Sequence, residues 1–395
     1  MKLPSIAIAW STGIAIFSMF FGSGNVVFPL LLGQITGEKI SWALIGLAIT
    51  AVGAPLLGLL GSVLFEGDCK KFFYRIGEIP GYIIVILLLA LLGPIGVMPR
   101  CFIVAYGAVT PYFPDLNLWI FSLVAGLLTL GLIAKRDFII PILGYVLSPL
   151  LVLTLIIIIA VSFIKGGTLP PSDHTPVHAI IKGLAVGYDT MDLLASIFFS
   201  VSIWILLKEK LNISDPNEAK AKIIPTYVFA SLIGGGLLGI IYVGLCYSAA
   251  MHHQMIAGVL PEQVLSNLAV HLLGEKLALI ANIAIALACL TTVMSLAVAV
   301  VDVIHVEMMN TSLGAKIPYS YGWMMILTIG ITIVFSTFGF TAIMGFLHPI
   351  MEICYPAIIV LTVCNILYKL TGFSYVKIPF YATILMMIGW KLAHL

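Results

Sequence analysis

Charged side chains are scarce in this sequence of 395 residues: Asp, Glu, Lys and Arg together make up 9% of it. A soluble domain carries about 25%, because its surface must face water. With 61% hydrophobic residues besides, an ordinary soluble fold is excluded, and the bilayer is the solvent that suits the chain. Metal-ligand spacing is missing too. The six cysteines, Cys69, Cys101, Cys246, Cys289, Cys354 and Cys364, lie scattered, mostly inside apolar runs. Neither a disulfide framework nor a zinc site is expected from them, and they read as small buried hydrophobes. The strings G-x-x-x-x-G-K-[ST] and H-E-x-x-H are absent, so neither an ATP-driven pump nor a zinc-dependent membrane enzyme is expected. His252 and His253 are neighbours in an expected external loop, but no carboxylate partner accompanies them. No catalytic residue is expected. Nor does a filter-like repeat or a charged ring point to a channel. No A-x-A-like site follows the first apolar stretch, which reads as a spanning helix, not a cleaved leader.

What is present is a series of long apolar runs. A helix needs about 20 apolar residues to cross the hydrocarbon core. Such runs fall near 6–31, 42–65, 81–110, 116–134 and 138–164, then near 177–207, 223–248, 276–303, 319–338, 342–368 and 375–393. The expected fold is therefore an all-α polytopic membrane protein with about eleven transmembrane helices. Residues 261–275 are too short and polar to span, and read as an amphipathic helix in or over an external loop. Cationic residues divide unequally between the two sides. One side collects Lys2, Lys70, Lys71, Arg75, Lys135, Arg136, Lys208, Lys210, Lys220, Lys222, Lys316, Lys369 and Lys377, and the other only Lys39, Lys165, Lys182, Lys276 and Lys391. Thirteen against five places the N-terminus in the cytoplasm and, with an odd span count, the C-terminus outside.

Five spans, a loop and five more point to an inverted repeat, over about 6–164 and 177–368, with one further helix at 375–393. All of it forms a single transmembrane domain, 1–395. Span 5 has Pro141, Pro149 and Thr154; span 10 has Pro349, Pro356 and Thr362, with the first proline and the threonine equally far apart in both. Spans 1 and 6, the first of each half, are also the two that polar or glycine clusters interrupt. Interruptions at corresponding positions point to a binding site.

In span 1, Gly22, Ser23, Gly24 and Asn25 stand where a lipid-facing helix is apolar throughout. Unwinding there frees N–H groups at the start of the next half-helix, whose dipole favours an anion such as a carboxylate. Carbonyls freed near Ser18 to Phe21 suit a cation or an ammonium group. The alternative is close packing of helices through small residues. In span 6, Gly187, Tyr188, Asp189, Thr190, Met191 and Asp192 bring two carboxylates and hydroxyls into an apolar stretch. Intramembrane carboxylates are costly and mark pathways or ion sites; the alternative puts Asp189 at the interface, in water. Span 8 carries Ala288, Thr291 and Thr292. Their oxygens suit a small hard cation, unless the hydroxyls only satisfy carbonyls of their own helix. Arg100, inside span 3, must pair or reach water, with Asp189 or Asp192 as its partner. Glu352, beside His348 and Pro349 in span 10, is a proton site or a gate, while His348 itself reads as a helix-end residue near water.

The strings FFGSGNVVFP, GPIGVMPR, GYDTMDLLAS and LACLTT resemble the branched-chain amino acid:cation symporter family, the BrnQ type, through most of the chain and in order. That resemblance implies Na⁺- or H⁺-coupled uptake of leucine, isoleucine and valine into bacteria. It also implies the five-plus-five inverted repeat of LeuT-like transporters with helices 1 and 6 broken. Carried over, Gly22, Ser23, Gly24 and Asn25 hold the substrate carboxylate, with Gly187, Tyr188, Thr190, Met191 and Asp192 at the span 6 break. Phe20, Phe199 and Met191 line the side-chain pocket. Na⁺, the expected coupling ion, lies between carbonyls of Ser18 and Phe21 and the group Ala288, Thr291 and Thr292. Arg100, Asp189 and Glu352 gate the path. The chain departs from the family pattern at Gly107, where an acid is expected, and in having Asp189 at a variable position. It is also one short of the family's twelve spans, so C-terminal trimming is expected.

The function expected is secondary active symport by alternating access, in a bacterial inner membrane. The partners are lipid and a small-molecule substrate, with no nucleic acid; no cofactor is expected and the oligomeric state stays open. The alternatives are a proton-coupled or exchange carrier of another small hydrophobic solute, or an amino-acid sensor that transports nothing.

Overall fold

Inside a bilayer no water satisfies the backbone, so a spanning chain must bond its own N–H and carbonyl groups, as helices do. In the computed structural model, which describes residues 6–134, 148–213, 216–309 and 320–393, every regular element is a helix. Pro141 and the start of expected span 5 lie outside the described residues, as do Lys2, Lys135, Arg136 and Lys316.

In chain order the helices are α1 (Ile6–Phe20), α2 (Ser23–Thr36), α3 (Ile40–Leu47), α4 (Ala54–Leu64), α5 (Cys69–Phe73), α6 (Glu78–Leu92), α7 (Val97–Val109) and α8 (Leu118–Ile133). They continue with α9 (Ser148–Lys165), α10 (Pro176–Asp189), α11 (Asp192–Lys210), α12 (Pro216–Met251), α13 (Val264–Leu273), α14 (Glu275–Met309), α15 (Tyr321–Ser336), α16 (Phe340–Thr371) and α17 (Lys377–Ala393). Six helical runs among the described residues are long and apolar enough to cross a membrane: Ser23–Leu64, Glu78–Val109, Pro176–Lys210, Lys222–Met251, Glu275–His305 and Phe340–Thr371. Shorter apolar helices stand beside them. The first of these runs turns back on itself at Gly37, whose φ of +49° favours glycine. Outward-facing apolar side chains such as Ile164, Ile240 and Leu385, at 83%, 70% and 70% exposure, would be costly in water and suit lipid.

The breaks expected in spans 1 and 6 are present, between α1 and α2 and between α10 and α11. Two more interruptions were not expected. Span 2 passes through a π-helical stretch, Ala48–Gly53, between α3 and α4, and span 3 opens at Gly93–Gly96 between α6 and α7. The π stretch has a tertiary use: the Thr50 carbonyl accepts the buried Tyr355 hydroxyl at 2.9 Å. The helix expected over 261–275 forms as α13. Its apolar face packs on α14, and Ser266 donates to the Gly107 carbonyl at 2.8 Å.

The packing follows a pattern that places the two breaks side by side. Helices α1 and α2 lie chiefly on α12, while α10 lies on α3 and α11 on α4. Helix α7 packs on α14, α8 on α15, and the last helix, α17, on α16.

Candidate functional site

At the first break Gly22 takes an extended backbone (φ −119°, ψ −159°), and its N–H donates to the Asn25 side-chain oxygen at 3.0 Å. Local chemistry explains the interruption. Glycine costs a helix about 1 kcal/mol relative to alanine, and asparagine offers the backbone a rival hydrogen bond. One turn on, Pro29 lacks the N–H that would bond the Asn25 carbonyl. The N–H groups of Ser23, Gly24 and Asn25 open α2 and have no carbonyl within that helix to bond.

At the second break Thr190 and Met191 separate α10 from α11. The Thr190 hydroxyl donates to the Gly187 carbonyl at 2.9 Å, turning the chain out of α10. Met191 is left-handed (φ 60°, ψ 17°), which costs a non-glycine residue about 1–3 kcal/mol and persists only where the surroundings enforce it. Those surroundings are a site 1% exposed, with the Met191 sulfur 3.5 Å from the Arg100 guanidinium.

Three buried side chains tie the breaks together. The Asn25 Nδ2 donates to both Asp192 carboxylate oxygens, at 3.0 and 2.8 Å, and also contacts the Tyr242 hydroxyl. Tyr242, on α12, donates to Asp192 Oδ2 at 2.8 Å. Gly24 lies so close to the second break that an added Cβ would sit 3.1 Å from the Thr190 carbonyl oxygen and 3.2 Å from its Cα. A narrow cavity opens between the breaks. Its walls include Phe20, Gly22, Ser23, Gly24, Asn25, Thr190, Met191, Asp192 and Phe199, with Thr292, Leu92, Val97, Ala195 and Leu296 completing much of the lining. Asp192 is the one charged residue among the lining side chains.

On one flank of this cavity Arg100, fully buried, donates to the Asp189 backbone carbonyl at 3.0 Å and lies 5.6 Å from the centre of the Phe28 ring. It reaches neither aspartate's carboxylate by a hydrogen bond. The Asp189 carboxylate is taken instead by His348 Nδ1, 2.9 Å from both oxygens. His348 therefore lies inside α16 against the second break, not at a helix end. On the other flank the hydroxyls of Thr291 and Thr292 both donate to the Ala288 carbonyl, at 2.8 and 3.0 Å. Thr292 faces the first break: a Cβ on Gly22 would lie 3.4 Å from its Oγ1. Among the described residues no three His, Cys, Asp or Glu side chains converge as a metal site.

Residues 7–393 match the sequence model of a family described as branched-chain amino acid transport protein. The chain belongs to that family. One relative is the branched-chain amino acid permease BraB of Bacillus subtilis (strain 168), 30% identical over 372 residues that cover 91% of this chain and 79% of the permease. The fold of this transporter is similar to that of Mhp1 in its inward-facing conformation, with a TM-score of 0.62 at 12% identity over 96% of this chain and 89% of the other. It is also similar to a Na⁺-coupled sialic acid symporter, with a TM-score of 0.55 at 14% identity over 98% and 89% of the two chains. The transporter is a membrane protein and not an enzyme.

Of the residues singled out in the sequence of this transporter, most of those at the two breaks meet at one cavity. Gly187 and Tyr188 do not line it. A Cβ on Gly187 would meet Thr50 Oγ1 at 1.9 Å, so this glycine lets α10 approach the π stretch, and the Tyr188 ring lies on Tyr355 with centroids 5.0 Å apart. The Ser18 hydroxyl turns back to the Ile14 carbonyl at 2.9 Å, and the Phe21 ring stacks on Phe17 at 5.1 Å. Three residues had no expected place in the polar network: Tyr242, Tyr355 and Lys391. A hydroxyl in the apolar string LLGIIYVGLCYS is a signal for Tyr242, since a buried tyrosine needs a partner for its O–H. Tyr242→Phe takes one donor from a buried carboxylate, and should lower substrate affinity about 10- to 100-fold, from about 1.5–3 kcal/mol for a hydrogen bond to a charged group. Equilibrium binding of radiolabelled leucine to the purified variant checks this; unchanged affinity would leave the tyrosine a packing residue only.

Proposed function

We propose that this transporter imports leucine, isoleucine and valine across the bacterial inner membrane by Na⁺-coupled alternating access. One observation carries the reading. The cavity between the breaks presents a carboxylate, Asp192, together with the first N–H groups of α2, which have no carbonyl to bond within that helix, among otherwise largely apolar walls. That is the complement of a zwitterion with an aliphatic side chain. The ammonium group pairs with Asp192, the substrate carboxylate with the N–H groups of Ser23, Gly24 and Asn25 at the positive end of the helix dipole. Phe20, Leu92, Phe199 and Leu296 take the side chain. The likeness to BraB, a branched-chain amino acid permease, supports the same substrate class.

Na⁺ enters as a co-substrate. The Ala288 carbonyl and the hydroxyl oxygens of Thr291 and Thr292 are hard ligands in mutual contact, and Thr292 brings the group beside Gly22. Carbonyls of Ser18 and Phe21, at the end of α1, complete the set. Arg100, Asp189 and Glu352 gate one side of the cavity. The exchange of partners supports two inverted repeats, 6–164 and 177–368, within one domain: span 1 lies on span 7 as span 6 lies on span 2. Thirteen cationic residues against five support a cytoplasmic N-terminus.

Uptake of radiolabelled leucine into proteoliposomes tests this. An imposed Na⁺ gradient should drive accumulation above the gradient-free level, and 4-methyl-2-oxopentanoate, which lacks the ammonium group, should not compete. No leucine uptake with either a Na⁺ or an H⁺ gradient would overturn the reading; accumulation with H⁺ alone would overturn its ion. Thr291→Ala and Thr292→Ala should each raise the Na⁺ concentration for half-maximal uptake about five- to tenfold, about 1–1.5 kcal/mol for a lost oxygen ligand. The order of preference among the three substrates should not change.

A further inference from the structure

Four ionisable side chains run in a string from the second break to the last helix. His348 Nδ1 bonds the Asp189 carboxylate at 2.9 Å, His348 Nε2 lies 3.2 Å from Glu352 Oε1, and Glu352 Oε2 lies 2.6 Å from Lys391 Nζ. Lys391 also donates to the Pro349 carbonyl at 3.3 Å. Only its first member is buried: side-chain exposure is 8% at Asp189, 40% at His348, 23% at Glu352 and 25% at Lys391. Sequence reading gave a role here to Asp189 and Glu352 alone. The structure adds the imidazole between them and the ammonium group at the end.

Both ring nitrogens of His348 face a carboxylate, and that decides its chemistry. A neutral imidazole has one N–H and one lone pair, whereas the imidazolium has two N–H donors. In the neutral form one nitrogen would set its lone pair against carboxylate oxygens. In the charged form both contacts are charge-assisted hydrogen bonds. The sum of charges agrees. Two carboxylates, an imidazolium and an ammonium group make zero, while loss of the proton leaves a net negative charge within the membrane region, where it is costly.

Other ionisable groups reach α16 from the elements packed on it. Arg100 on α7 spends its Nη1 on the Asp189 carbonyl and on the Met344 sulfur, the Tyr188 ring on α10 lies tilted against Tyr355, and Glu262 stands just before α13. Helix α4 brings none. None of these places a second cation on either carboxylate that His348 bridges by a hydrogen bond or ion pair among the described contacts.

We propose that His348 is a proton-binding site whose proton latches the half-helix α10 against α16, closing the cavity on the side where α17 ends. The latch rests on the reading of that cavity as the transport path. Asp189 is the last residue of α10 and stands two residues before the left-handed Met191, so its carboxylate is held at the point where α10 can swing about the break. Protonation of His348 ties that point to α16; deprotonation releases it. The charge of the string thereby sets how easily this side opens, and Lys391 makes the last helix part of the gate.

Hydrogen exchange of residues 176–191 in the purified transporter, from about pH 5 to pH 9 and corrected for intrinsic exchange, reads the latch without reference to transport. Exchange should be slow at low pH and rise several-fold as pH passes a midpoint. His348→Gln should exchange fast at every pH. Glu352→Gln removes a negative neighbour of the imidazolium and should move the midpoint down by about one pH unit, while Lys391→Met removes a positive one and should move it up by about as much. A contact that is only structural would loosen in both variants with no opposed shift. Exchange independent of pH in the parent, or midpoints moving the same way in both variants, would overturn the latch. Leucine uptake measured on the same preparations separates the two ideas. Opposed shifts without uptake keep the latch and remove the transport reading; uptake with pH-independent exchange does the reverse.

Discussion

Asp192→Asn should abolish leucine accumulation while leaving the transporter folded. The Asp192 carboxylate accepts hydrogen bonds from Asn25 and Tyr242, joining α2, α11 and α12 at one buried point. An amide in its place turns one acceptor into a donor that faces the Asn25 amide. It also removes the charge proposed to hold the substrate ammonium. Hydrogen bonds to a charged group are worth about 1.5–3 kcal/mol each. Losing the substrate ammonium's contact with that charge weakens leucine binding about 10- to 100-fold, at about 1.4 kcal/mol per factor of ten. Stability should move the other way or little, because the variant no longer buries an ion. Radiolabelled leucine binding and a thermal melt on the same preparation check both parts. Wild-type affinity in the variant would remove Asp192 from the site, and a collapsed melting transition would make its role structural.

The second large effect is steric. Gly24→Val should cost uptake as much as the loss of a polar contact, though it removes no hydrogen-bonding group. Any Cβ at this position lies 3.1 Å from the Thr190 carbonyl oxygen and 3.2 Å from the Thr190 Cα. Both are backbone atoms of the second break and have no rotamer to escape into. Alanine forces a shift of a few tenths of an ångström, and the two further methyl groups of valine force more. Overpacking costs about 1–3 kcal/mol, which is about 5- to 100-fold in affinity. Gly24→Ala should fall between the parent and the valine variant. Leucine binding across this series is the measurement, and equal affinity in all three proteins would show that the breaks need not touch.

The interruptions were legible because each violates a rule of local chemistry. Gly22 and Gly24 break helix propensity, Pro29 removes an N–H, and Asp189 and Asp192 put carboxylates in an apolar run. Such violations stand out against a lipid-facing background that asks only for apolar residues. Of the two unexpected interruptions, that in span 3 carried such signals in Gly93, Pro94 and Gly96, and that in span 2 did not. The π stretch at Ala48–Gly53 contains ordinary helix-compatible residues, and it is stabilised from outside by Tyr355, some 300 residues away in sequence. Nor did spacing connect Asn25 to Tyr242, or Asp189 to His348, since those pairs are made by helices that neighbour each other only in the packed bundle.

The sequence by itself determined that the chain belongs in lipid, that spans 1 and 6 are interrupted and which family the motifs resemble. Those properties depend on residues within a few turns of one another, and on a solvent that penalises every unpaired polar group. Tertiary structure alone decided what the interrupting residues do to each other. It set Arg100 on a backbone carbonyl instead of a carboxylate, gave the Asp189 carboxylate to His348, and drew Tyr242 and Lys391 into the polar network. A buried polar group must find a partner, but which one it finds depends on which helices pack together.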